Sequence, residues 1–115
     1  MDASDHVPLK PLQHLTLLLL AERASYGVQL LERLEERSGG AIRLNAGSLY
    51  RLLSQLVDDR LVAPVEEVPS PTGVGAPRKV YELTALGRVV LRAETERQAA
   101  LLDMTRSLNL LEDEA

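Results

Sequence analysis

Between Asn45 and Gly87 the chain reads helix, strand, basic loop, strand and the start of another helix. Asn45 or Ser48 can cap the first of these helices. Within it Leu49, Leu52, Leu53 and Leu56 follow the i, i+3, i+4, i+7 spacing of one apolar face. At about 100° per residue, Gly47, Arg51, Ser54 and Asp58 lie opposite that face, with Ser48, Tyr50 and Gln55 on its flanks. Residues 61–68 are β-branched and extended, and residues 80–83 are their antiparallel partner. The segment between them, PSPTGVGAPRK, holds three prolines and two glycines and reads as a loop. A short amphipathic helix followed by a two-stranded ribbon with positive charge at its turn is the layout of a winged helix-turn-helix.

The flanking segments are helical. Pro11 suits the first position of a helix, where its missing N–H costs nothing. From Leu12 to Arg23 the leucines fall on every face, and such a helix must be buried on more than one side. A second subunit is the expected cover. Ser25 is placed to cap the next helix, whose face of Gly27, Leu30, Leu31 and Leu34 leaves Glu32, Arg33, Glu35 and Glu36 largely off it. Ser38-Gly39-Gly40 ends it. Thr84 caps a last helix expected over 85–111, about 40 Å long. Its Leu86, Val90, Ala93, Arg97, Ala100, Met104, Leu108 and Leu111 recur every three or four residues, a seam interrupted only by Arg97.

The expected architecture is mainly α with a small two-stranded antiparallel β-wing. A flexible arm (1–10) precedes the winged helix-turn-helix (11–84), and a C-terminal dimerisation helix (85–111) and an acidic tail (112–115) follow it. Leu15, Leu19, Val90, Ala93, Ala100, Met104 and Leu108 are the residues expected to join two copies.

Composition narrows the function. The chain of 115 residues has no Phe, Trp or Cys, and its aromatics are Tyr26, Tyr50 and Tyr81. A leucine-dominated core favours helices. The absence of cysteine excludes disulfides and thiolate chemistry and suits a reducing cytosol. No signal-peptide pattern opens the chain, and no apolar run approaches the ~20 residues that span a bilayer. A cytoplasmic protein without membrane contact is expected. Net charge is −4, yet residues 41–88 carry six bases against five acids while both flanking segments are net acidic. That tilt is mild, so nonspecific affinity for a polyanion is expected to be weak.

Catalysis has little to stand on. His6 and His14 show no metal-ligand spacing, and there is no phosphate-binding loop or nucleophile elbow. The acidic pairs Glu35/Glu36, Asp58/Asp59 and Glu66/Glu67 are adjacent, so their side chains diverge. No enzyme, metal or cofactor is expected. The polar face of the 46–59 helix suits the major groove instead. Ser48 at its N-terminus and Tyr50 could meet phosphates, Arg51 could reach a guanine edge or a phosphate, and Gln55 on the flank is a further candidate DNA contact. Arg78 and Lys79 leave the loop together and could track the backbone. An alternative is a protein-interaction or adaptor module of the same fold, its acidic surface repelling DNA.

With these residues in hand, residues 11–92 resemble the PadR family of transcriptional regulators. LTLLLLAERASYGVQLLERLEE resembles its first two helices, GSLYRLLSQLVDDRLV its recognition helix, and GAPRKVYELTALGRVVL the return strand of its wing. The resemblance implies a cytoplasmic homodimer, joined by the C-terminal helix, that represses genes by binding double-stranded DNA at palindromic operators. It assigns DNA contact to Ser48, Tyr50, Arg51, Arg78 and Lys79. It also implies an unidentified small-molecule effector, although the absence of Trp speaks against aromatic-drug sensing. Val28 stands where a second tyrosine is common. Arg60 stands where a glycine usually ends the recognition helix; a left-handed conformation there would cost ~1 kcal/mol, which predicts a looser corner.

Overall fold

Leucines on every side of one helix are explained by where that helix lies. The computed structural model describes residues 3–69 and 78–111. Helix α1 (Pro11–Glu22) begins at the proline, and Lys10 donates its N–H to Gln13 Oε1 at 3.1 Å. Leu17, Leu19 and Leu20 are buried, and among the leucines of α1 only Leu18 is classed as exposed. The rest of the chain covers Leu17, Leu19 and Leu20, leaving Leu18 exposed and Leu12 and Leu15 half-buried.

After α1 the chain forms a two-residue strand, β1 (Ser25–Tyr26), which sequence patterning missed because two residues show no alternation. Helix α2 (Gly27–Arg37) starts at once, so its N-cap is Tyr26 and not Ser25. Gln29 Oε1 accepts the Tyr26 N–H at 3.1 Å. The Ser25 hydroxyl instead accepts from Arg33 Nη1 at 2.7 Å, and Arg33 Nη2 donates to Leu19 O at 2.8 Å and to Glu22 at 3.0 Å. Arg33, expected largely off the apolar face, is therefore buried with partners on α1 and β1. A guanidinium is tolerated inside a core on that condition.

Helix α3 (Ala46–Asp58) is capped by Asn45, whose Oδ1 accepts from the Ser48 N–H at 2.8 Å. Its far end closes with Arg60 N–H to Val57 O at 2.9 Å and Leu61 N–H to Leu56 O at 3.0 Å. This double closure requires a left-handed residue, and Arg60 takes it at φ 64°. The left-handed conformation considered for Arg60 from the family resemblance is thus the one it adopts.

Strands β2 (Val62–Val68) and β3 (Arg78–Leu83) pair antiparallel, with Val62 opposite Leu83 and Val68 opposite Arg78. The register slips between Pro64 and Glu66, beside a proline that has no N–H to give the ladder. Strand β1 adds to the other edge of β3, so the sheet has three strands in the order β1-β3-β2 and not the two expected.

Thr84 caps helix α4 (Ala85–Ser107) by accepting from the Gly87 N–H at 2.9 Å, while its own hydroxyl donates to Arg60 O at 2.6 Å. The helix is about 35 Å long and stops four residues short of the expected end, with Asn109 left-handed at φ 56°. Val90, Leu91 and Glu94 are buried, but from Gln98 onward nearly every residue is exposed. Of the arm expected to be loose, the described part is docked. Its 3-10 turn, Ala3–His6, packs against α4, and Leu9 is buried in the core. Among the described residues no helix is long and apolar enough to cross a membrane. The acidic tail at 112–115 lies outside the described residues.

Candidate nucleic-acid interface

Leu49, Leu53 and Leu56 fasten α3 to the core and turn its opposite side to solvent. Gly47, Tyr50, Arg51, Ser54, Gln55 and Asp58 line a shallow, open groove along that side. Arg51 is exposed and donates to Ser48 Oγ at 3.1 Å. Among the described residues it forms no ion pair, so its charge is available to an outside anion. Ser48 itself is half-buried, its N–H taken by the Asn45 cap.

Tyr50 is 47% exposed, and its ring lies over the first residue of α2. A side chain at Gly27 would stand 2.7 Å from the Tyr50 hydroxyl oxygen and 3.0 Å from Cζ, so the ring depends on glycine there. Gln55 is engaged within the chain, its Nε2 donating to the Asp59 carboxylate at 3.2 and 3.3 Å.

Lys79 reaches the same region from the sheet. Together with Ser54, Asp58 and Pro64 it borders a second depression beside the groove. Its direct cross-strand neighbour is Glu67, and Asp58 and Asp59 stand at the end of α3. Cations thus mark one end of the groove and its sheet side, and acids mark the other end. Tyr81 backs the second depression; burial, with Tyr50 nearby, pushes its phenol up, which keeps it neutral.

Arg78 and Lys79 were expected to act together from the loop. Both lie in β3 instead, where consecutive side chains point to opposite faces. Lys79 is exposed, whereas Arg78 turns inward with Cζ 5.4 Å from the centre of the Tyr26 ring. Among the described residues Arg78 Nε is buried without a hydrogen-bond partner. Of the expected 69–79 wing, residues 70–77 lie outside the described residues. Ser54 and Asp58 belong to the groove but were not singled out, although their place opposite the leucine stripe was readable. Nothing in the sequence pointed to the stacking role of Tyr26.

The residues expected to join two copies fall into three groups. Leu19, 1% exposed, and Val90, fully buried, belong to the chain's own core and have no surface left to offer. Leu15 and Ala93 are half-buried. Ala100, Met104 and Leu108 are exposed on the projecting end of α4, beside Leu101 and Leu102. Among the described residues no group of His, Asp or Glu side chains is arranged to hold a metal ion.

Known proteins share this arrangement. A PadR-like transcription factor from Bacteroides fragilis is 30% identical, with 88% of this chain and 89% of that one aligned at a TM-score of 0.64. A PadR-family regulator from Eggerthella lenta is 28% identical over 88% of each chain, also at 0.64. The Bacillus subtilis PadR solved with operator DNA shares the fold at a TM-score of 0.62 and 21% identity, over 73% of this chain and 46% of that one. No curated protein matches. The profile of the PadR-like transcriptional regulator family matches residues 16–93, and the chain belongs to that family.

Proposed function

We propose that this regulator is a homodimeric repressor that binds palindromic double-stranded DNA in the cytoplasm and has no catalytic activity. Helix α3 seats in the major groove, with Arg51 reading a guanine edge or clamping a phosphate and Ser48 and Tyr50 near the backbone. Lys79 follows the backbone from the sheet. The observation that carries this reading is the uncovered groove on α3, where an exposed guanidinium has no acidic partner among the described residues. The operator complex of the Bacillus subtilis PadR supports it by likeness of fold.

The projecting end of α4, with Ala100, Met104 and Leu108 in solvent, supports pairing of two copies. Two-fold symmetry then requires an operator whose half-sites are about 34 Å apart, one turn of DNA.

Selection of bound sequences from a random duplex pool, followed by titration against salt, tests the proposal. It predicts an inverted repeat and affinity that falls as salt rises. No retained sequence at low ionic strength would favour the adaptor reading, in which Asp58, Asp59 and Glu67 keep DNA away.

A further inference from the structure

Arg78 stands at the base of the wing, yet its geometry is not that of a side chain aimed at a phosphate. Its guanidinium carbon lies 5.4 Å from the centre of the Tyr26 ring, inside the range where a cation is attracted to the negative face of an aromatic. Its Nε is buried and, among the described residues, has no hydrogen-bond acceptor. A buried charged donor is costly unless something stabilises it, and the ring face is what the structure offers. Tyr26 is itself fixed twice. It pairs with Val80 across the β1–β3 ladder, and it is the N-cap of α2, held by Gln29. Gly27, the next residue, carries the ring of Tyr50 on α3.

We infer that Tyr26 is a positioning residue for DNA recognition, gripping Arg78 by its ring so that the start of β3 keeps a fixed angle to α3. Lys79, the strand neighbour on the opposite face, then presents its charge from a fixed base. Arg78 acts through this stack and makes no phosphate contact of its own. The inference rests on the proposed DNA-binding function, with a readout that does not need DNA.

Four variants decide it. Tyr26→Phe keeps the ring and should bind the selected duplex as the parent does. Tyr26→Leu removes the ring and should weaken binding about two- to fivefold, the worth of one such stack. Arg78→Lys should weaken binding similarly, because a compact ammonium does not reproduce the planar stack. Arg78→Ala should weaken binding while leaving the slope of log affinity against log salt unchanged. A slope flatter by about one unit in Arg78→Ala would make Arg78 a phosphate contact and overturn the inference. Undiminished binding by Tyr26→Leu would overturn it too.

The DNA-free readout is the Arg78 side-chain Nε–H resonance in the full chain. The stack requires an upfield, exchange-protected signal that Tyr26→Phe keeps and Tyr26→Leu loses. An unshifted, fast-exchanging signal in the parent overturns the inference whatever the DNA result. If the parent shows the protected signal but binds no duplex, the stack stands and its role in recognition falls with the DNA-binding reading.

Discussion

The main-chain N–H of Leu9 donates to the carboxylate of Glu94 at 2.8 Å, joining residues 85 positions apart. Glu94 is fully buried, and its remaining lone pairs are taken by Arg97 at 2.6 and 3.2 Å and by Gln98 at 2.9 Å. The carboxylate therefore ties the N-terminal segment to α4 at the point where that helix leaves the core.

This tie is acid-sensitive. The Arg97 guanidinium, helped by the Leu9 N–H and Gln98 against the opposing effect of burial, holds Glu94 at about 2, below its ordinary 4.5. A carboxyl that is more acidic when folded stabilises the fold fully above pH 4.5, and that contribution drains away as pH falls toward 2. Thermal melts across this window should show Glu94→Gln losing less stability than the parent. Some acid dependence should persist in the variant, because Arg37 also holds Glu22 below its usual range. Parallel curves for the two proteins would refute the assignment.

Arg60 at φ 64° occupies a backbone region that disfavours side chains by about 1–2 kcal/mol. Glycine removes that strain but gives the unfolded chain more freedom, worth about 0.5–1 kcal/mol the other way. The strain is the larger, so Arg60→Gly should gain up to about 1 kcal/mol, seen as a rise in Tm of a few degrees. Arg60→Ala keeps the strain and should not reproduce the gain. A Tm for Arg60→Gly at or below the parent's would contradict this balance.

Gly87 lies at the opposite extreme. Alanine inside a helix is ordinarily about 1 kcal/mol better than glycine. Here a methyl group would run into the Leu61 carbonyl oxygen and stand 2.7 Å from Leu83 Cδ1. The Leu61 oxygen is held by the Thr84 N–H at 3.1 Å and cannot retreat freely. Overpacking of this kind costs about 1–3 kcal/mol, so Gly87→Ala should lower the denaturant midpoint despite its better propensity. A raised midpoint would show that the corner yields.

The sequence made some of these features plain and left others hidden, for physical reasons. Leucine spacing specified α2, α3 and α4, and the family resemblance marked residue 60 as a place where glycine is usual before its angle was known. Which chain covers each side of α1 was not legible, because an all-round apolar helix reads the same whether its own chain or another one covers it. The buried Arg33 and Glu94 were illegible. Each is accommodated by partners distant in sequence, Leu19 and Ser25 for one and Leu9 for the other. At the candidate interface the α3 face could be read from its periodicity. The divergence of Arg78 and Lys79 could not, because it depends on where the strand begins.

The end of α4 separates folding from association. Met104 is 60% exposed and Leu108 56% exposed, so neither contributes much to the core of a single chain. Replacing both with Glu should leave the secondary structure intact and shift a dimer to monomer in light scattering at micromolar concentration. Leu19→Glu should instead unfold the chain, because its site lies inside the core. A parent protein that is monomeric under these conditions would remove the homodimer from the proposed function, and with it the inverted repeat.

Arg51 and Lys79 should fail differently when removed, and the difference tests which of them reads sequence. Arg51 lies in the groove on α3, where a guanidinium that forks onto a guanine gains base discrimination as well as charge. Arg51→Ala should cost about 1–3 kcal/mol on the selected duplex and relax the preference at one base pair. Lys79 is a strand residue facing Glu67, and its ammonium offers a point charge without a planar fork. Lys79→Ala should weaken binding to selected and scrambled duplexes alike and flatten the salt slope by about one unit. Glu67→Gln removes the neighbouring negative charge, so it should modestly raise affinity for both duplexes, an effect that fades as salt is added. If Lys79→Ala altered base preference while Arg51→Ala altered only the salt slope, the sheet and not α3 would be reading the operator.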